Sequence, residues 1–429
     1  MKELIKSAEI AQSILKEKGA HDSFVTLTQV ESQEFNIESN KVNLLRTVFD
    51  QNVSMKCFFD HKVGSCSNNQ FSEASLKNLS EKTILMAKES PADEGNVMPE
   101  GSGIQHFDNL VGDCDQKWMN QWLIDFLEEK KKNFPKTIIE STVLKHNKVK
   151  KVHLSSKGSF FTSKQSYYSG FVMFTTKDGK KSSSFNYVGF EKNKSKTPLM
   201  QTSGLHELLQ QSSEQVVLNK IPSKFTGEIL VTPNCMESIA GAILGYIGNN
   251  SLLKKESFLQ NKLGEKVASP LWSLTSNPVS KKFVYQYYWN EEGFLSENEV
   301  LFDKGVLESY VLSDYAARKL KEKRSLSNGI HLSMNSGESN YADMVKSIKK
   351  GILLCRFSGG RPADNGDFSG VAKNSYYIEN GKIQYPVSEV MVSGNFSEML
   401  KNVVAVSNET INFGNQEFPW VQFSDLVVS

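Results

Sequence analysis

The sequence predicts an α+β fold: N-terminal units of the α/β sheet-and-helix type, followed by a β-rich C-terminal domain. Apolar residues at helical spacing alternate with β-branched and aromatic runs, but in no regular βαβ rhythm. Asp178-Gly179, Asp303-Lys304-Gly305 and Glu379-Asn380-Gly381 are turn signals that pair neighbouring strands locally. The chain has 429 residues, too many for one ordinary core, so two or three domains are expected. Polar and proline-rich stretches place the boundaries near residues 96 and 221. These give an N-terminal α+β domain over 1–96, a central α+β domain over 97–221 and a β-rich domain over 222–429.

Leu4, Ala8, Ala11 and Leu15 recur at helical spacing, with Lys6, Glu9 and Lys16 between them, so the chain opens on an amphipathic helix. Phe24–Val30, Val42–Phe49 and Val53–Phe59 are rich in β-branched and aromatic residues and predict strands, with a turn at Asp60-His61-Lys62. Ser72 offers an N-cap to a helix ending near Glu89. A second capped helix runs from Asp115 to Lys132, with Trp118, Trp122, Phe126 and Leu127 as its apolar stripe and Lys130–Lys132 against the dipole at its C-terminus. Strands are expected from Thr137 to Phe190, then a helix over Leu205–Leu218. Beyond Pro222 the pattern predicts a strand at Glu228–Val231 and a helix at Ser238–Ile247. Several strands are expected between Phe283 and Leu312, a helix at Tyr315–Lys323, and strands from there to the end.

Composition excludes more than it names. Lys+Arg minus Asp+Glu is 50 − 48 = +2, so no strong field attracts nucleic acid or an anionic membrane. No apolar run reaches the ~18 residues of a membrane helix. The N-terminus lacks the continuous apolar core and cleavage site of a signal peptide. The cytoplasm is therefore the expected location. Five cysteines, odd in number and scattered, fit a reducing compartment. Cys57, His61 and Cys66 could start a metal site, but no second pair completes a four-ligand set, and a strand–turn–strand reading is simpler.

Several catalytic patterns fail on inspection. No Gly-Lys-Ser/Thr phosphate loop and no Gly-x-Ser-x-Gly elbow occur. The glycine-rich stretch Ser358–Pro362 and Asn365–Gly370 lacks dinucleotide-binding spacing. It reads instead as loops whose backbone approaches something closely. His206-Glu207 resembles half of a zinc helix, but Gln210 and Gln211 stand where the second imidazole would be.

The strongest pattern lies in the last third of the chain. It comprises Glu299-Val300-Leu301-Phe302-Asp303-Lys304-Gly305-Val306-Leu307-Glu308-Ser309-Tyr310, then Asp314-Tyr315-Ala316-Ala317-Arg318-Lys319-Leu320. Asn365-Gly366-Asp367-Phe368-Ser369-Gly370 and Tyr377 through Val390 follow, then Gly394-Asn395, Met399–Val403 and Val406-Ser407-Asn408. In order and spacing these resemble the TldD/PmbA family, once called modulators of DNA gyrase, and within it the PmbA (TldE) branch. The resemblance spans essentially the whole chain, is sharpest from Glu228 onward, and assigns 222–429 to a C-terminal domain of that type.

The resemblance implies a dimeric cytoplasmic metallopeptidase that acts on unfolded or small peptides, including leader-bearing precursors. In it a TldD-type subunit carries a His-Glu-x-x-x-His zinc helix and a Cys ligand near its C-terminus. The matching segment here is Asn234-Cys235-Met236-Glu237-Ser238-Ile239-Ala240-Gly241-Ala242-Ile243. Met236 and Gly241 stand where the two His would be, and only Glu237 remains. No His occurs from 207 to 330, and the tail from Asn412 to Ser429 holds no Cys. Without imidazoles, Glu237 has no metal-bound water to activate, and it also reads as a carboxylate favoured by a helix N-terminus. Met236, Ile239, Ile243 and Ile247 are spaced like a buried stripe. Cys235 and Cys355 read as small apolar residues, since no His can be placed beside either.

The implied role is a subunit without zinc or other cofactor of its own, paired with a TldD-like zinc subunit or with itself, and presenting sheet edges to unfolded peptide. Gly359, Gly360, Gly366, Asp367, Phe368, Gly394 and Asn395 are candidates for that channel or interface. The glycines among them equally suit turn positions with positive φ. A non-enzymatic scaffold of the gyrase-modulator kind, and a self-sufficient peptidase using His206 or His331, remain as alternatives. Neither nucleic acid nor membrane is expected as a partner.

Overall fold

The computed structural model describes residues 1–388 and 390–429; Glu389, part of the C-terminal motif, lies outside the described residues. The N-terminal half opens with α1 (Lys2–Glu17), β1 (Asp22–Glu38), β2 (Lys41–Phe59), β3 (Lys62–Asn68) and α2 (Glu73–Glu89). It continues through β4 (Ile104–Asn109), α3 (Gln116–Asn133), β5 (Thr137–Ser155), β6 (Phe160–Asp178), β7 (Lys181–Ser182), β8 (Asn186–Lys192) and α4 (Leu205–Glu214). One sheet contains all eight strands, in the order β3-β2-β1-β5-β6-β4, with β7 and β8 also paired to β6. Because β1 pairs β5 from Phe24↔Ser155 to Glu38↔Ser141, the segments on either side of residue 96 share this sheet.

The predicted caps are present. Ser72 accepts the Ser75 N–H and Asp115 the Trp118 N–H. Leu4, Ala8, Ala11 and Leu15 of α1 bury against Val25 and Leu27 of β1 and Val53, Met55 and Cys57 of β2. On α3 the buried residues are Met119, Trp122, Leu123, Phe126 and Lys130, so the stripe lies slightly to one side of the expected one. β2 is one continuous strand where two were expected. Its turn from β1 is Ser39-Asn40, both with positive φ, which suits the twist of a two-residue hairpin.

Cys57 and Cys66 sit on neighbouring strands, opposite Gly64 and Met55, and His61 occupies the exposed turn between. All five cysteines are free thiols. Among the described residues no group of three or more His, Cys, Asp or Glu converges in a way that could hold a metal.

The C-terminal half comprises β9 (Phe225–Val231), α5 (Pro233–Tyr246), α6 (Asn249–Leu253), β10 (Leu274–Ser276), β11 (Glu299–Asp303), β12 (Val306–Leu307), α7 (Asp314–Leu320), β13 (Leu332–Met334) and α8 (Tyr341–Ser347). Then come β14 (Lys350–Leu354), β15 (Arg356–Gly359), β16 (Asp367–Lys373), β17 (Tyr376–Glu379), β18 (Lys382–Pro386), β19 (Val390–Asn395), α9 (Phe396–Lys401), β20 (Val403–Asn412) and β21 (Glu417–Val428). These strands form a thirteen-stranded sheet in which β21 pairs with β9, β13, β19 and β20 along successive stretches. The hairpin turns at Lys304-Gly305 and Asn380-Gly381 have the positive φ their sequences predicted.

Two expectations are corrected here. α8 and α9 interrupt what reads as continuous strand, and each begins on an Asn side-chain cap, Asn340 and Asn395. Residues 283–288 form no strand: their rings pack on the N-terminal sheet, with Tyr285 against Tyr167 and Tyr288 stacked on Phe107. Burial against another domain thus replaces ladder pairing for this β-prone segment.

Candidate functional site

α5 begins where two parallel strands end. β9 pairs β14 in parallel from Gly351↔Glu228 to Leu354↔Val231, and the Thr232 N–H extends the ladder to the Leu354 carbonyl at 3.1 Å. Pro233 then starts the helix at a position that needs no N–H donor. The helix buries Met236, Ile239, Ala240 and Ile243, and this turns Glu237 and Ser238 outward into a cleft.

The cleft has a volume of about 850 Å³. One wall is β8 and the residues before it, with Phe185 and Tyr187 exposed along it. The other is β15 together with Lys373 of β16. Both walls are strand edges: among the described residues β8 pairs only with β6, and β15 only with β16. The cleft thus lies between two sheets, each with an edge strand along it, and within it the Glu191 N–H of β8 donates to the Phe413 carbonyl at 2.7 Å.

Its acidic and basic side chains are Glu191, Glu237, Arg356 and Lys373. Burial pushes the Glu191 carboxyl up to about 7, and its Oε2 is buried without a hydrogen-bond partner. Cys235 and Cys355 also line the cleft, but burial pushes the first thiol up to about 12 and the second well above its ordinary value. Burial thus favours the neutral thiol at both positions.

The residues that the resemblance aligns with a zinc helix do not fit the metal. Met236 is wholly buried in the core, whereas Gly241 lies at the surface with no atom within 4 Å of where a Cβ would project. A thioether inside the core and a bare backbone position supply no zinc donor set, and a lone carboxylate does not complete one. His206 packs edge-on against Phe134 on the outside of α4. The His331 Nδ1–H donates to the Asn415 carbonyl at 2.7 Å, and the ring stacks on Phe283. Neither imidazole lines the cleft.

The glycine-rich candidates divide between two places. Gly359, Gly360 and Phe368 line a separate apolar pocket of about 230 Å³, with Phe357, Phe396 and Met399. Gly359 and Gly370 face each other across β15–β16, and a Cβ on either would strike the Phe357 ring at 2.6 or 2.4 Å. Gly394 clears the Leu426 side chain in the same way, at 2.4 Å. Of the candidate glycines only Gly366 has positive φ, at 95°. Asp367 and Asn395 face each other across β16–β19; the Asn395 Nδ2 donates to Asp367 Oδ1 at 2.8 Å while its Oδ1 accepts the Ser397 N–H that starts α9.

Two of the quoted motif residues outside these pockets, Glu299 and Tyr310, are braces. Glu299 Oε2 accepts from Ser325 Oγ at 2.6 Å, Ser327 Oγ at 2.7 Å and the Leu326 and Ser327 N–H groups. The Tyr310 hydroxyl donates to the Leu259 carbonyl at 2.8 Å and accepts the Lys262 N–H. Glu191, Arg356, Lys373 and the ring pair Phe185 and Tyr187 escaped sequence reasoning. No local motif marks them, and the only available signal was the alternation Phe185-x-Tyr187 on a strand.

Comparison with known proteins agrees with this architecture. Residues 225–429 match the family model described as PmbA/TldA metallopeptidase C-terminal domain. A relative named Metalloprotease PmbA homolog, from Buchnera aphidicola, is 24% identical over 408 residues, covering 92% of this chain and 90% of its own. Metalloprotease PmbA of Escherichia coli is 30% identical over 193 residues, 44% of this chain and 41% of its own. The solved structure of TldE from Thermococcus kodakarensis superposes with a TM-score of 0.82 at 17% identity, covering 98% of this chain and all of that one, which shows a shared fold. With the family's C-terminal domain, its chain-long relatives and its fold all present, this chain belongs to the TldD/PmbA family.

Proposed function

We infer that this chain is the metal-free, PmbA/TldE-type subunit of a cytoplasmic peptidase whose zinc is held by a TldD-type partner, and that the cleft holds unfolded peptide beside or within that assembly. The observation that carries the reading is α5. It carries the segment that the resemblance matches to the family's zinc helix, yet it puts a methionine into the core and shows the cleft one carboxylate. The two flanking strand edges supply what a peptide site without metal chemistry needs, because an extended chain pairs its own N–H and C=O groups with such an edge whatever its side chains. The five free thiols fit a reducing cytoplasm. The net charge of +2 gives no support to nucleic-acid binding.

Co-expression with a TldD-type protein tests the reading. The expected outcome is a complex that cleaves an unstructured peptide and contains zinc only when the partner is present. Stoichiometric zinc in this chain purified alone, or failure of the two chains to co-purify, overturns it.

A further inference from the structure

Arg356 is the one guanidinium in the cleft, and it is held ready without a counter-ion. Its plane lies over the Phe185 ring at 4.2 Å, and one Nη donates to Ser184 Oγ at 3.1 Å. Its Nε is buried and has no partner. Among the described residues no carboxylate lies within ion-pair distance of it, although Glu191 and Glu237 line the same cleft. Lys373 is its direct neighbour across β15–β16, lines the same wall and likewise makes no ion pair among the described residues.

A half-buried cation with an unmet donor is costly in the absence of a partner. Ring stacking and the Ser184 bond fix the fork in one orientation, so little freedom is lost when it grips a planar anion. Burial holds the guanidinium below its usual pKa, yet an arginine stays charged at any physiological pH. The partner that answers a fixed fork with a lysine beside it is a carboxylate, bound through two parallel N–H···O bonds.

We propose that Arg356, with Lys373 beside it, is the carboxylate-recognition end of the cleft, and that peptides bound there present either their C-terminal α-carboxylate or an Asp or Glu side chain at that point. The proposal rests on reading the cleft as a peptide site. It adds a polarity to that site: a peptide laid along β15 is anchored at one end by charge and elsewhere by backbone pairing.

The test uses the full chain and three fluorescein-labelled probes built from Ala, Ser and Val: a free acid, its C-terminal amide, and an amide carrying one Glu. Fluorescence anisotropy is expected to show the free acid binding roughly 10- to 100-fold tighter than the plain amide, the range of a charge-assisted hydrogen-bond pair. Arg356→Gln should abolish that difference and Lys373→Gln should reduce it, with Arg356→Lys restoring part of it. If the Glu-bearing amide matches the free acid, either carboxylate is accepted; if it matches the plain amide, the C-terminus is the ligand; if it alone binds tighter, the side chain is.

Equal binding of all three probes to the wild-type protein overturns this proposal and leaves the peptide cleft standing. Absence of binding by any probe defeats the cleft reading, and carboxylate recognition is then decided by acetate alone. A shift of the Arg356 Nε–H resonance on acetate titration supports the proposal, and no shift overturns it. Near-ultraviolet circular dichroism of each variant identifies one that has lost the fold, in which case Lys373→Gln decides the question.

Discussion

Gln165 on β6 and Gln286 in the irregular segment 283–288 bond to each other as two strands would. The Gln286 N–H donates to Gln165 Oε1 at 2.9 Å, and Gln165 Nε2 donates to the Gln286 carbonyl at 2.7 Å. The Gln286 side chain is itself engaged, donating to the Phe283 carbonyl at 2.7 Å and accepting from Asn109 Nδ2. Both residues are buried, so this amide joint fastens the C-terminal half to the N-terminal sheet. Gln165→Leu strands the backbone N–H and C=O of residue 286 and should cost about 2–4 kcal/mol. A urea midpoint unchanged from wild type would contradict the joint.

Gly64 of β3 lies hard against α2. A Cβ there would sit 2.2 Å from the Thr83 carbonyl oxygen and 2.5 Å from the Ala87 nitrogen, both backbone atoms that cannot swing aside. Gly64→Ala should therefore push α2 off the sheet and destabilise the N-terminal half by about 1–3 kcal/mol or more. Gly241→Ala, on an open helix face, should be neutral or slightly stabilising. Thermal melts of the two variants give the contrast, and similar losses in both would refute it.

Glu191 makes stability depend on pH in the less common direction for a carboxylate. Its folded pKa, about 7, lies above the ordinary 4.5. The folded state therefore keeps a proton that the unfolded state releases, and stability falls as pH rises from about 4.5 to 7. The effect is at most on the order of 3 kcal/mol. Glu191→Gln should gain on wild type across that window and differ by a constant amount above it. Chemical denaturation at several pH values measures the difference, and a flat difference from pH 4.5 upward would count against a buried carboxyl.

His153 acts in the opposite sense. Burial among Phe24 and Phe161 lowers its pKa from 6.5 to about 4, and its Nδ1 lies 2.9 Å from Thr26 Oγ1. A histidine that stays neutral when folded takes up its proton only on unfolding, so stability is lost as pH falls from about 6.5 to 4. NMR titration of the folded protein should show the His153 ring unprotonated at pH 5, and a ring protonated there would contradict the burial. Gly293, whose Cβ would lie 2.3 Å from His153 Nε2 and whose φ is +82°, should not tolerate Ala.

Met236→His tests directly whether α5 can present a metal donor. The new imidazole would enter the core and not the cleft, because residue 236 is fully buried. The expected outcome is destabilisation by about 1–3 kcal/mol with no gain in zinc retained after dialysis. Tight zinc binding by this single variant would show that the helix can still present donors.

Much of the local architecture was legible because it is decided by neighbouring residues. The four-residue spacing of Leu4, Ala8, Ala11 and Leu15, the caps Ser72 and Asp115, and the turns at Lys304-Gly305 and Asn380-Gly381 each depend on a few consecutive side chains and their backbone preferences. The missing imidazoles around Glu237 were equally plain, since ligand count is a matter of residue type. The cleft was not legible. Its walls come from residues 184–191 and 355–358, brought together by the pairing of two sheets, and nothing local to Glu191 or Arg356 announces that each is desolvated. The same holds for 283–288, whose aromatic pattern suits a strand but whose rings gain more by burial against the other domain. Gly359, Gly370 and Gly394 show the limit from the other side: their composition suggested turns or a channel, and contact with Phe357 and Leu426 across the sheet gives the reason for them. Chain order sets what each segment can form, whereas burial, which sums over residues distant in sequence, selects where charge is left unmatched and so where a ligand can bind.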